Sequence, residues 1–277
     1  GCGKSTLSRL ISLLEKSDTG TITFNGEDLS NLNKEKIKNF RQSLQLILQD
    51  PYNSLPSRQT IGRIISEGLL IHSQYNKSEI KEKVLSTMSE VGIHQDEYNK
   101  LLVGKSGSFR QRVSIARALI LEPKVIILDE TLSSLDQKEQ EMLLSLFSDI
   151  QAKRNLTYIF ISHDLAMVRK SCNRIAVMYM GRIVELAKNE ILFDKCGHPY
   201  TRTLLCTIPT LDKNPYDKNL YLMDGEPPDP TEIGTECSFK SRCPHFNNNN
   251  KKGSTDMGLI EIQSGHWVDK CGVDCGR

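Results

Sequence analysis

Residues 123–130 read "PKVIILDE": a proline, a lysine, an unbroken apolar run of Val125 to Leu128, then Asp129 and Glu130. An apolar run this short, with no polar alternation, predicts a strand buried on both faces, as in a parallel sheet covered by helices. Downstream, Met142, Leu143, Leu146, Phe147 and Ile150 fall at helical spacing and predict an inward helix face. Three further strands are expected at "TYIFIS" (157–162), "RIAVMYM" (174–180) and "RIVEL" (182–186), the last two joined across Gly181. Upstream, Leu7, Leu10, Ile11 and Leu14 predict a helix with Gly20 a little beyond its end, and "TITFNGEDL" (21–29) predicts a strand reaching an Asn-Gly turn. Residues from about 51 to 119 are mostly helical in pattern, with Ile80, Val84, Leu85, Met88 and Val91 forming one stripe. Strands alternating with helices imply an α/β core with a mainly parallel sheet.

The chain opens on "GCGKST", Gly1 to Thr6. Gly3, Lys4 and Ser5 supply the second half of the phosphate-loop pattern G-x-x-x-x-G-K-[ST], with Gly1 and Cys2 in its variable positions. In such a loop, backbone N–H groups and the positive helix end hold phosphates, the lysine reaches the β/γ oxygens, and Ser5 ligates Mg²⁺. The alternative is a "GKS" in a plain turn; the apolar helix that follows favours the phosphate loop. Given that loop upstream, Asp129 is placed to hold Mg²⁺ through its water shell, and Glu130 to orient or deprotonate an attacking water.

At this point the chain resembles the ATP-binding-cassette ATPases, the ABC family. The resemblance implies a P-loop NTPase (RecA-like) core, an inserted helical subdomain at about 51–119, and Mg²⁺ and ATP as ligands. "LILQDP" resembles the family's Q-loop, which implies Gln49 near Mg²⁺ and water and in contact with a membrane partner. "SSLD" resembles the D-loop, with Asp136 toward an opposing subunit. "IFISHD" resembles the switch-histidine motif, with His163 at the γ-phosphate. The family signature is altered: "KSGSFRQR" keeps Ser106, Gly107, Arg110, Gln111 and Arg112 but carries Ser108 and Phe109 where the family has glycine and glutamine. In this family the signature closes over the opposing subunit's ATP, so Ser106 and Gly107 would face the partner's nucleotide. A Cβ at Ser108 hinders close backbone approach to phosphate. Thr131 stands where proline is usual, a mild change.

"QDPYNSLPSRQTI", "GHPYTRTLL", "GEPPDP", "CSFKSRCPHF" and "GHWVDKC" resemble the oligopeptide/dipeptide and nickel permease branch, nearly end to end. This implies an ABC ATPase domain over 1–190 and a small, loop-rich C-terminal extension over 191–277. It also implies an importer with a second ATPase subunit (hetero- or homodimer), two transmembrane permease subunits and an extracytoplasmic solute-binding protein. The chain would sit peripherally on the cytoplasmic face of the membrane. Some relatives hold a 4Fe–4S cluster through four tail cysteines. Cys237, Cys243 and Cys271 match three of those positions, the remaining one falls near Asn250, and Cys275 is a substitute; a loop-rich structural tail is the preferred reading. Clustered cysteines also fit free thiols.

Composition sets the limits. The 277 residues carry a formal net charge of +2, which predicts no general attraction to nucleic acid or anionic membrane. The longest apolar runs fall far short of the roughly 20 residues that span a bilayer, and nothing at the start resembles a signal peptide. "NNNNKK" (247–252) reads as an exposed loop. A DNA-maintenance ATPase on the same core would carry long coiled coils or zinc modules between Lys4 and Ser106, and no sustained heptads occur there. A degenerate subunit that binds ATP and hydrolyses it poorly is the other alternative, motivated by the altered signature. The half-motif at Gly1 reads as a truncated gene model or a clipped fragment, with weak ATP binding expected of the chain as it stands.

Overall fold

The computed structural model describes residues 2–72, 75–133, 135–207, 228, 237–243 and 258–270. The chain divides into two compact units, one of residues Ser5–His163 and one joining Gly1–Lys4 to Asp164–Arg277.

The first unit begins in helix α1 (Lys4–Ile11), which runs into it from Lys4. A hairpin follows, β1 (Thr23–Phe24) and β2 (Glu27–Asp28), with Asn25 and Gly26 both at positive φ, as the Asn-Gly turn requires. Helix α2 (Lys34–Ser43), capped by Asn33, leads directly into β3 (Leu44–Ile47). Then come α3 (Pro51–Ser54), α4 (Ile61–His72), α5 (Lys77–Glu90) and α6 (Gly107–Leu119). Strand β4 (Val125–Asp129), helix α7 (Gln137–Arg154) and β5 (Thr157–Ile161) complete the unit. The sheet order is β3-β4-β5, all parallel, with Ile47 opposite Leu128 and Asp129 opposite Ile161. Ile126, Ile127 and Leu128 are almost wholly buried, as the short apolar run predicts.

The helical segment has its own core. Ile61, Ile64 and Ile65 of α4, Val84 and Met88 of α5, and Val113, Ile115 and Leu119 of α6 are fully buried. Asn76 and Glu79 close a reciprocal capping box at the start of α5. Gly62 is required by close approach: a Cβ there would lie 2.5 Å from the Tyr98 ring.

The second unit holds α8 (Leu165–Ser171), β6 (Arg174–Tyr179), β7 (Arg182–Lys188), α9 (Asn189–Lys195), α10 (Pro199–Cys206), β8 (Leu259–Gln263) and β9 (His266–Asp269). Its sheet is antiparallel in the order β6-β7-β9-β8. β7 lies before residue 190 and β9 far beyond it, so this sheet draws on both sides of the boundary expected from sequence.

Several local expectations need correction. α1 stops at Ile11 and Leu13 takes a left-handed φ, so Leu14 falls outside the stripe and is exposed, as is Leu7. On α7 the buried arc is Leu143, Phe147 and Ile150; Met142 lies one position off that arc and faces solvent. β3 is a strand not expected from sequence; it ends inside "LILQDP", with which it shares Leu46 and Ile47. Among the described residues the expected loop-rich extension also holds α10, β8 and β9, with α9 running into it across residue 190.

Candidate functional site

The parallel register brings three strand ends to one edge of the first unit. Gln49 is exposed two residues after β3, Asp129 ends β4 with Glu130 next, and His163 follows β5 by two residues. The carboxyl edge of a parallel α/β sheet is where ligands bind, because loops diverge there and leave a crevice.

Asp129 is buried, and two hydroxyls of α1 face it. Ser5 Oγ lies 3.3 Å from Oδ1, and Ser8 Oγ lies 3.0 Å from Oδ2 and 2.8 Å from the Ser5 carbonyl. Ser8 has one proton to donate, so it satisfies only one of those acceptors at a time. A buried carboxylate next to a serine hydroxyl suits a hard cation with oxygen ligands. The donor set therefore fits Mg²⁺. Ser8 was missed from sequence; its signal is a small polar residue three positions after Ser5, on the same helix face.

Glu130 adopts φ 49°. Its N–H donates to the Ile161 carbonyl at 2.9 Å, and its own carbonyl accepts from the Ser133 hydroxyl at 2.9 Å. These two bonds hold a conformation that a glutamate would otherwise avoid, and such strain concentrates at functional sites. The Glu130 carboxylate lies 3.4 Å from Nδ1 of His163, which is largely exposed. Asp129, Glu130 and His163 are thus brought together, with Ser5 on the cation side.

The remaining loop residues belong to the second unit. Gly3 sits at φ 90°, where a side chain would be strained, and the Gly181 N–H donates to the Cys2 carbonyl at 2.9 Å. Lys4 Nζ is 3.6 Å from Cys2 Sγ. Thr6, in the first unit, is exposed on α1, and Gly1 lies outside the described residues.

The signature and D-loop residues have local duties. Ser106 caps α6 by accepting from the Phe109 N–H at 3.3 Å, and its hydroxyl is 3.3 Å from that of Ser108. Gly107 opens the helix. Lys105 pairs with Glu97 and lies over the Phe109 ring at 4.9 Å. Buried Arg110 donates to the carbonyls of Leu102 and Lys105 and stacks on Tyr52, 4.7 Å from its centroid. Asp136 caps α7, accepting from the Glu139 N–H at 2.8 Å.

In the tail, Cys237 and Cys243 are half-buried on either side of a 3₁₀ turn at Lys240–Arg242. Cys271 and Cys275 lie outside the described residues. Among the described residues no cluster of three metal-ligating side chains occurs. A network that the sequence did not suggest ties the extension together. Fully buried Glu185 of β7 accepts from the Gly197 and His198 N–H groups at 2.7 and 3.0 Å and lies 2.7 Å from Nε2 of His266 on β9. The "GHP" and "GHW" motifs thus meet on one carboxylate. Among the described residues no helix is long and apolar enough to cross a membrane.

Over residues 1–133 the chain matches the ABC transporter family, and over 184–249 the oligopeptide/dipeptide transporter C-terminal region. It is 41% identical over 246 residues to the oligopeptide transport ATP-binding protein AppF of Bacillus subtilis, covering 88% of this chain and 75% of AppF. It is 40% identical over 244 residues to the dipeptide transport ATP-binding protein DppF of Escherichia coli, covering 88% and 72%. Among solved structures it resembles cbiO1 of Clostridium perfringens, part of the ABC transporter complex cbiONQ. That match has a TM-score of 0.63 at 28% identity, over 70% of this chain and 76% of cbiO1.

Proposed function

Because the chain belongs to the ATP-binding subunits of ABC transporters, in the branch with the oligopeptide/dipeptide C-terminal region, we propose that it hydrolyses ATP to drive uptake of oligopeptides or dipeptides. The observation that carries the reading is the meeting of Asp129, Glu130 and His163 at one sheet edge, with Ser5 of the helix after the phosphate loop against Asp129.

Lys4 and the loop N–H groups bind the β/γ-phosphate oxygens, where lysine charge and oriented donors offset the anion. Ser5 would hold Mg²⁺ directly and Asp129 through its water shell, with Gln49 as a further candidate contact, and the ion would neutralise phosphate charge. Glu130 orients water and takes its proton as the water attacks, a role worth about 10²–10⁴ in rate. His163, hydrogen-bonding the γ-phosphate, stabilises the charge that develops in the transition state. A second ATPase subunit supplies the signature over this nucleotide, while Ser106, Gly107 and Asp136 face the partner's. Gln49 and the helical segment carry the movement to two transmembrane permease subunits on the cytoplasmic side of the membrane, with an extracytoplasmic binding protein delivering peptide. The tail cysteines need no cluster for this reading.

The test is Glu130→Gln in the assembled importer. ATP turnover and labelled-dipeptide uptake should fall at least about 100-fold with nucleotide binding retained. Turnover near the wild-type rate would sink the assignment.

A further inference from the structure

We propose that Phe239, in the C-terminal extension, is a positioning residue for the phosphate loop, acting through Tyr179 and the β6–β7 turn. The inference rests on the nucleotide-site reading above and adds a remote support to it. All of the residues involved lie in the second unit.

The turn is a two-residue connection, since Tyr179 pairs with Arg182 and leaves Met180 and Gly181 between them. Both carry positive φ, 45° and 78°, the signature of a type I′ hairpin turn. Methionine is poorly suited to that conformation, so the turn depends on its surroundings to hold it. It touches the loop directly: the Gly181 N–H donates to the Cys2 carbonyl at 2.9 Å. A Cβ on Gly3 would lie 3.4 Å from Met178 Cε and 3.6 Å from the Gly181 Cα. The positive-φ glycine of the phosphate loop is therefore backed by this hairpin.

Tyr179, the last residue of β6, fixes the hairpin's near side. Its ring is buried and packs on Tyr200 of α10 at 4.5 Å between centroids. Phe239 meets the Tyr179 ring edge-on, at 5.3 Å and 90°. It also meets Tyr200 at 5.7 Å and His198 at 5.8 Å, and is itself almost wholly buried. Edge-to-face pairs hold ring orientation more firmly than area burial alone. Burial and the nearby Cys2 thiol and Tyr179 phenol raise the Tyr200 pKa, in keeping with α10 lying close to the loop. Removing the Phe239 ring frees Tyr179 to reorient, loosens the turn and blurs the position of Cys2 and Gly3. The loop then binds phosphate less well, because its donors are no longer pre-oriented.

The test compares steady-state ATP hydrolysis by the natural full-length subunit in its transporter with that of four variants. Phe239→Ala should raise KM for ATP about tenfold with kcat within twofold, and Phe239→Leu, which refills most of the volume, should recover most of that change. A fraction lost irreversibly to misfolding lowers apparent kcat and leaves KM unchanged, whereas a reversible folding equilibrium raises apparent KM. A urea denaturation curve for each variant therefore first establishes that it is fully folded under the assay conditions. Gly181→Ala strains the turn without touching the extension and should raise KM similarly. Wild-type KM in Phe239→Ala overturns the inference; if that variant yields no folded protein, wild-type KM in Gly181→Ala overturns it instead. Lys4→Ala separates the two readings. If it keeps normal KM and kcat, the nucleotide site itself is misassigned; if it is inactive while Phe239→Ala is normal, only the relay fails.

Discussion

Glu130 stands at φ 49°, a region that costs an L-residue about 1–2 kcal/mol, and it does so next to Asp129 and His163. The Ile161 carbonyl and the Ser133 hydroxyl hold it there. The geometry separates stability from activity at one position. Glu130→Gly relieves the backbone and should raise stability by about 1 kcal/mol by chemical denaturation, while removing hydrolysis. A destabilised Gly variant would show that the carboxylate's contacts outweigh the strain. Neighbouring Asp129 was readable in sequence as a strand-end acid. Its hydroxyl partner Ser8 was not, because a serine in an apolar stripe reads as an interruption until the helix is laid on the strand.

Helix ends make the contacts that matter most at the next scale. Arg154, the last residue of α7, donates through Nε to Glu90, the last residue of α5, at 2.9 Å, pairs with it a second time through Nη2, and donates through Nη1 to the Leu119 carbonyl at the end of α6 at 2.9 Å. One planar fork thus ties three helix C-termini, and cations are favoured at such ends. Arg154→Ala should cost about 2–3 kcal/mol in urea denaturation, the range for hydrogen bonds to charged groups. Arg154→Lys should recover less than half, since an ammonium cannot span both carboxylate oxygens and the carbonyl. An equal melting point for the lysine variant would contradict the fork. The helices themselves were readable, since Ile80, Val84, Met88 and Val91 are buried as their spacing predicts. Their mutual pinning was not, because Arg154 and Glu90 are far apart in the chain.

For the whole molecule, the unit built from Gly1–Lys4 and Asp164–Arg277 is sensitive to acid through His198. Burial, and secondarily Arg202, lower its pKa to about 4, and its Nδ1 accepts from the Tyr200 N–H at 3.1 Å, which requires the neutral ring. In the unfolded chain the same imidazole takes a proton below about pH 6.5. The folded state is then the poorer proton binder, so its stability falls as pH drops through 6.5 and levels off below about 4. Between pH 7 and pH 5 the loss from this residue should be about 2 kcal/mol, at 1.36 kcal/mol per unit. Denaturation midpoints at the two pH values, compared with His198→Gln, give the measurement. A glutamine variant with an equally steep pH dependence would exclude His198 as the source.

Local pattern was enough for the elements that bury a continuous apolar face and for the motifs that need contiguous residues. "VIILDE" reads as a buried strand ending in acids, and "GKST" as a loop entering a helix, because strand burial and phosphate gripping are written in adjacent positions. The carboxyl edge of the sheet followed once the strands were taken as parallel. Tertiary structure alone decided the pairing of β9 with β7, the closure of Glu185 on His266, and the stacking of Phe239 on Tyr179. Each joins residues separated by tens of positions. Such pairings arise from the summed packing of the chain, which no short window of residues contains.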